Sequence, residues 1–247
     1  TRRPAEVGMN AASVQAAVDY AMAHEVPRPR DQEQVQNQSF GRREPFGFGI
    51  GPFKVHKGPA GVIVRHGYIV AEWGDTRSVD MTHSVAKSFL STTVGLALQD
   101  GLIGSLDDLA RDYMAPVDLP ARDGEPGVDR VGSGKPDVTT LFNTEHNRQI
   151  TWRHLLTQSS DWEGTLWGKP DWADRPDDDP STWTTRERHT PGTVYEYNDT
   201  RVNLLALLAT GVWRQPLPQI LRERVMDPIG ASPTWRWYGY ENSWIAL

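Results

Sequence analysis

Ser84-Val85-Ala86-Lys87 places a hydroxyl and an amine three residues apart, and no other Ser-x-x-Lys occurs in the chain. Positions i and i+3 share a helix face, so the two side chains can meet. A serine becomes a nucleophile when a neighbouring base takes its proton, and a desolvated lysine can supply that base. Lysine can lose its proton in a site whereas arginine stays charged. Lys54, Lys57, Lys87, Lys135 and Lys169 are the only lysines among 26 basic residues. A helix starting at Ser84 would also aim backbone N–H groups and the positive end of its dipole at a developing anion. The same four residues equally describe a helix-capping serine with a surface lysine one turn later, so the surroundings must decide.

Those surroundings are short elements separated by long connections. Asn10 caps a predicted helix running to about His24, with Val14, Ala17, Val18 and Ala21 as a narrow apolar stripe. Residues 27–59, rich in Pro, Gly, Arg and Gln, read as irregular. Within them Gly47-Phe48-Gly49-Ile50-Gly51 lacks the strand and helix a nucleotide loop needs. Gly61–Arg65 and Tyr68–Trp73 read as two strands joined by the tight turn His66-Gly67. A helix is predicted from about Ser84 to Gln99, stopped by Asp100-Gly101, and a short one from Ser105. Thr151 caps a further helix, and a tryptophan-rich connection covers residues 158–193. An apolar helix from about Thr200 to Trp213 and a last one from Leu217 to Met226 follow. Three regions result: 1–80 with the first helix and strands, 81–213 mostly helical, and 214–247 returning toward the sheet.

Composition narrows the chemistry. The 247 residues can bury one large core or two intergrown ones. A net charge of −6 argues against nucleic acid as a partner. The absence of cysteine excludes disulfides, thiolate metal sites and a cysteine nucleophile. No apolar run is long enough to span a membrane, and composition does not fix a compartment. The histidines lack metalloprotease spacing, and Asp177-Asp178-Asp179 reads as a solvated turn, so neither metal nor cofactor is expected. No G-x-S-x-G is present, which counts against an α/β-hydrolase.

Further segments carry a resemblance. Val62–Trp73 resembles the strand pair that precedes the nucleophile in the serine β-lactamase and penicillin-binding-protein superfamily, and Met81–Phe89 resembles its nucleophile segment. Gly95–Ile103 resembles the helix exit that follows. Ile150–Ser160 is similar to the family's I-T-x-x-x-L-L-T-H-T-S-G stretch, with Gln158 for the usual His. Pro191–Asp199 resembles P-G-x-x-F-x-Y-S-N, with Asp199 where Asn is usual, and Asp227-Pro228-Ile229-Gly230 looks like the P-L-G closing a later helix. These matches run in order from about residue 60 to 235.

The resemblance implies an α/β (α+β) fold, an antiparallel sheet flanked by helices with a mostly helical second region. It implies Ser84 as nucleophile, with Lys87 and Tyr197 moving protons. Asp199 beside Lys87 would favour the ammonium and weaken it as a base, leaving Tyr197 to deprotonate Ser84. Read without the resemblance, Tyr197 is a core residue and Asp199 caps the helix from Thr200. Trp162, Trp167 and Trp172 are expected to wall an acyl pocket, although packing is the commoner fate of tryptophan.

The family's third motif, Lys-Thr-Gly or His-x-Gly after the tyrosine, has no match in residues 200–247. His56-Lys57-Gly58 fits the letters but precedes the nucleophile. The remaining strands are therefore expected from a second polypeptide or from outside the given sequence. The nucleophile segment and the tryptophan-rich loop most resemble the class C-like esterase and 6-aminohexanoate-dimer hydrolase branch, which implies a small ester or amide as substrate. A D-alanyl peptidase or β-lactamase is the alternative within that chemistry, and a non-catalytic acyl-ligand-binding homologue the alternative outside it.

Overall fold

The computed structural model describes residues 1–43, 52–114, 141–166, 169–174, 179–182 and 186–238. They form two compact units, one within residues 1–81 and the other from Thr82 onward. The expected mixed α+β class is what the chain adopts, with helices and small antiparallel sheets. Among the described residues no helix is long and apolar enough to cross a membrane.

In the first unit, helix α1 (Ala11–Ala23) starts where Asn10 Oδ1 accepts the Ser13 N–H at 2.9 Å. Its stripe narrows to Val14 and Val18, which are buried where α1 packs on the hairpin that carries buried Val70. The region read as irregular contains two short helices, α2 (Gln32–Gln38) and α3 (Phe40–Arg43). Helix α2 escapes the apolar pattern because its residues are nearly all polar. Asp31 starts it by accepting the N–H groups of Glu33 and Gln34. Strands β1 (Gly61–Arg65) and β2 (Tyr68–Trp73) pair antiparallel with the expected bounds. His66 and Gly67, at φ 49° and 76°, give the doubly left-handed turn that suits a two-residue hairpin.

The second unit is built around one long, largely apolar helix. Helix α4 (Ala86–Gln99) contributes Leu90, Val94 and Ala97 to the core, and α5 (Trp152–Leu156) contributes Trp152 and Leu155. The two-residue strands β3 (Thr165–Leu166) and β4 (Lys169–Pro170) form a small hairpin that no alternation in the sequence announces. Helix α6 (Asp199–Trp213) is buried almost continuously from Thr200 to Ala209, and packs against α4, α5, β3 and α7 (Leu217–Leu221). This explains its lack of a polar face: a helix covered on several sides has no solvent side to make polar. Each fully buried leucine there contributes roughly 2 kcal/mol of apolar burial. Truncating fully buried Leu204 to Ala would remove about 2–5 kcal/mol. The last predicted helix keeps its expected span to Met226 but widens from α7 into a π-helical segment over Arg222–Met226. The short helix expected at Ser105 is a turn, followed by a 3-10 segment over Ala110–Tyr113. The reading of residues 239–247 lies outside the described residues.

Candidate active site

Ser84 lies not in the first turn of α4 but in a separate 3-10 turn, His83–Val85, closed by Val85 N–H donating to Thr82 O at 3.0 Å. His83 enters it at φ 47°, a left-handed conformation that is rare for a non-glycine residue. Lys87 follows in the first turn of α4, three residues on and on the same helical face. Lys87 Nζ accordingly donates to Ser84 Oγ at 3.1 Å.

Tyr197 and Asp199 reach the same place from the N-terminus of α6. Tyr197 Oη is 2.6 Å from Ser84 Oγ, and Lys87 Nζ stands 4.8 Å from the Tyr197 ring centroid. Asp199 Oδ1 pairs with Lys87 Nζ at 2.7 Å. The cap of α6 is Asn198, whose Oδ1 accepts the Arg201 N–H at 2.9 Å, and not Asp199 as the sequence suggested. That one-residue shift leaves the Asp199 carboxylate for Lys87. Burial alone would drive the Lys87 amine toward neutrality. The Asp199 charge and the contacts with Asp199 and Tyr197 outweigh it and hold the ammonium above the usual lysine range. The arrangement is a hydroxyl within hydrogen-bond reach of both a phenol and a persistent cation.

The tryptophans separate. Trp162 is fully buried in the core, its indole N–H donating to Leu141 O at 2.7 Å, so it packs the interior and presents no open wall to a ligand. A tryptophan N–H satisfied by main chain is the normal outcome of such burial. Trp172 is half-buried in a 3-10 turn, Asp171–Ala173. Trp167 lies outside the described residues. His56, of the stray His-x-Gly match, belongs to the first unit, where its Nδ1 pairs with Asp80 at 2.6 Å.

Sequence reasoning missed a buried ionic cluster around Arg201, near the start of α6. Arg201 and Asp161 are each only 3% exposed, and Arg201 Nη2 donates to Asp161 Oδ1 at 2.6 Å. Arg201 also reaches Glu196 Oε2 at 2.8 Å and the Trp162 carbonyl at 3.0 Å. Asp161 accepts further from the His189 N–H at 2.7 Å and from Arg186, while Arg188 pairs with Asp171 at 2.6 Å. Burial works against the Asp161 charge, but these N–H groups and guanidiniums prevail and hold its carboxyl below the ordinary range. The one available signal was Arg201 itself, a charged residue inside an otherwise apolar helix.

The beta-lactamase family profile matches residues 54–237, a span holding both segments of the site, and the chain belongs to that family. It is thereby a serine hydrolase of that superfamily in class. Among curated proteins no significant match was found.

Proposed function

We propose that this chain hydrolyses small esters or amides through an acyl-enzyme on Ser84. The observation that supports it above all is the Ser84 hydroxyl 2.6 Å from Tyr197 Oη and 3.1 Å from Lys87 Nζ. Lys87, kept as an ammonium by Asp199, acts as an electrostatic partner and hydrogen-bond donor rather than as the base. Tyr197 Oη takes the Ser84 proton as Ser84 Oγ bonds to the substrate carbonyl carbon. The resulting oxyanion forms beside the N-terminal end of α4, where backbone dipoles oppose its charge. Tyr197 then returns the proton to the departing alcohol or amine as the carbonyl reforms. Water attacks the acyl-enzyme with the proton transfers reversed, releasing the acid and restoring Ser84.

The preference for small esters and amides rests on the likeness of the nucleophile segment and tryptophan-rich loop to the esterase and 6-aminohexanoate-dimer hydrolase branch. A β-lactamase or D-alanyl peptidase would share the acylation step. Intact-mass spectrometry after a fluorophosphonate probe, with Ser84→Ala alongside, tests the nucleophile. One adduct, absent in Ser84→Ala, is expected, and an unmodified chain in a sample that also holds the remaining strands would sink the hydrolase mechanism. Turnover of a short-chain nitrophenyl ester against a chromogenic cephalosporin tests the substrate class, and faster turnover of the cephalosporin would overturn the ester and amide assignment.

A further inference from the structure

Two helices of the second unit end in the same turn but fill it differently. Helix α4 closes with the Leu102 N–H donating to Ala97 O at 2.9 Å and the Gly101 N–H to Leu98 O at 3.1 Å. Helix α5 closes with the Ser159 N–H donating to His154 O at 2.9 Å and the Gln158 N–H to Leu155 O at 3.2 Å. Both are the paired 6→1 and 5→2 bonds that end a helix through a left-handed residue. Gly101 takes that position in α4 at φ 73°, and Gln158 takes it in α5 at φ 53°. Glycine is the easier residue there because a Cβ crowds the backbone at positive φ. Glutamine is the poorer local choice, so its side chain has a use that the turn does not explain.

That use lies on the strand-like segment bearing Tyr197. Gln158 O accepts the Glu196 N–H at 2.9 Å, and Gln158 Oε1 accepts the Asn198 N–H at 2.7 Å. One residue therefore holds the N–H groups on both sides of Tyr197, its amide oxygen standing where a second main-chain carbonyl would stand in a strand pair. Asn198 is 2% exposed, and its side chain bonds onward to Asp171 O at 2.7 Å and to the Arg201 N–H. The left-handed backbone at 158 directs the carbonyl and the side chain of that residue to the same segment.

We infer that Gln158 is the positioning residue of Tyr197, clamping residues 196–198 so that the phenol oxygen rests on Ser84 Oγ. This inference rests on the hydrolase reading given above. A phenol within hydrogen-bond reach of the nucleophile transfers its proton efficiently only while that reach is kept, and a misplacement of about 1 Å can cost about 10²-fold in rate. An amide oxygen has no proton to lose or gain near neutrality, so the clamp holds at any working pH. Gln158 touches no reacting atom; it acts through Tyr197.

Two substitutions separate positioning from mere packing. Gln158→Gly removes the side-chain acceptor while relieving the left-handed residue. Gln158→Glu keeps an acceptor oxygen at the same reach. Read-outs are the rate of fluorophosphonate labelling of Ser84, kcat and KM on a nitrophenyl ester, and the thermal midpoint. Gln158→Gly is expected to keep its midpoint and KM while labelling and kcat fall at least about tenfold. Gln158→Glu is expected to restore most of that rate. Parent-like labelling in Gln158→Gly overturns the inference. So does a fall of rate and midpoint together that Gln158→Glu leaves unrepaired, since that pattern marks a structural role alone. An unlabelled Ser84 in the parent chain removes the hydrolase reading and the positioning role with it, and so differs from either result.

Discussion

Two carboxylate–cation pairs meet near the start of α6, and they are built oppositely. Asp161 and Arg201 are both 3% exposed, and each has several further polar partners. Lys87 is 16% exposed and its partner Asp199 45%, with a reactive hydroxyl and a phenol as neighbours. A fully desolvated pair is strongly destabilising to break, because the survivor is left charged and uncompensated. A half-open pair contributes little stability, since water screens it and solvates either member alone. The same attraction thus fixes backbone geometry in one place and tunes the charge of a reactive group in the other. Only the second can change its proton inventory at small energetic cost, and it is the one that touches Ser84.

The sharpest way to break this contrast is to remove one member of the buried pair. Asp161→Ala removes the buried carboxylate shared by Arg201, Arg186 and the His189 N–H, and is expected to lower unfolding free energy by about 3–5 kcal/mol in urea titrations. A loss below roughly 1 kcal/mol would show the cluster to be solvated, like a surface pair. On the reactive side, Tyr197→Phe deletes one phenol oxygen from a half-buried residue. Its labelling and ester hydrolysis should fall by about 10²–10⁴-fold. The thermal midpoint should stay near that of the parent. A Phe variant that hydrolyses normally would return the base role to Lys87.

The buried pair also sets the response to acid. Its carboxyl is held below the ordinary aspartate range in the folded chain, so the stabilisation is complete above the unfolded value. It is lost as pH falls through the lower, folded one. Stability should therefore drop steeply below about pH 4, and Asp161→Asn should flatten that slope. An unchanged slope in the Asn variant would assign the acid response to other carboxylates.

The sequence displayed one side of this contrast and hid the other. Ser84, Lys87 and Tyr197 could be placed because a short spacing and a flanking Pro-Gly sit within a few residues of them. Gly192 shows why that Pro-Gly has a structural reason. At φ 90° it donates its N–H to Ser159 O at 2.8 Å, and a Cβ there would come within 2.8 Å of the His154 ring. The β1–β2 hairpin was equally readable, since its turn chemistry is local. The Asp161–Arg201 pair joins residues forty positions apart, and neither residue's neighbours carry a pattern that names the other. Trp162 was misplaced for a related reason: an aromatic in a long connection looks available until the core that swallows it is known. The helix start at Asp199 rather than Thr200 was hidden because Asn198 and Asp199 are both good caps, and tertiary contacts separate them: Gln158 and Asp171 hold Asn198 while Lys87 pairs with Asp199.

The smallest expected effect sharpens the contrast most, because it asks the half-open pair to change charge without changing shape. Asp199→Asn keeps the size of the side chain and removes the anion facing Lys87. The Lys87 ammonium, held above the usual lysine range while Asp199 faces it, should then lose its proton at lower pH. Because the folded value is raised, the pair's stabilisation is complete below the unfolded lysine value and fades as pH rises through the folded one. At pH 7 the variant therefore gives up that stabilisation, which for so exposed a pair is below about 1 kcal/mol. If hydrolysis depends on the Lys87 cation, the alkaline limb of the pH–rate profile moves to lower pH in Asp199→Asn while the thermal midpoint hardly changes. A profile that moves to higher pH would mean that Asp199 does not hold the Lys87 charge. A midpoint that collapses would place this pair with Asp161 and Arg201 as architecture.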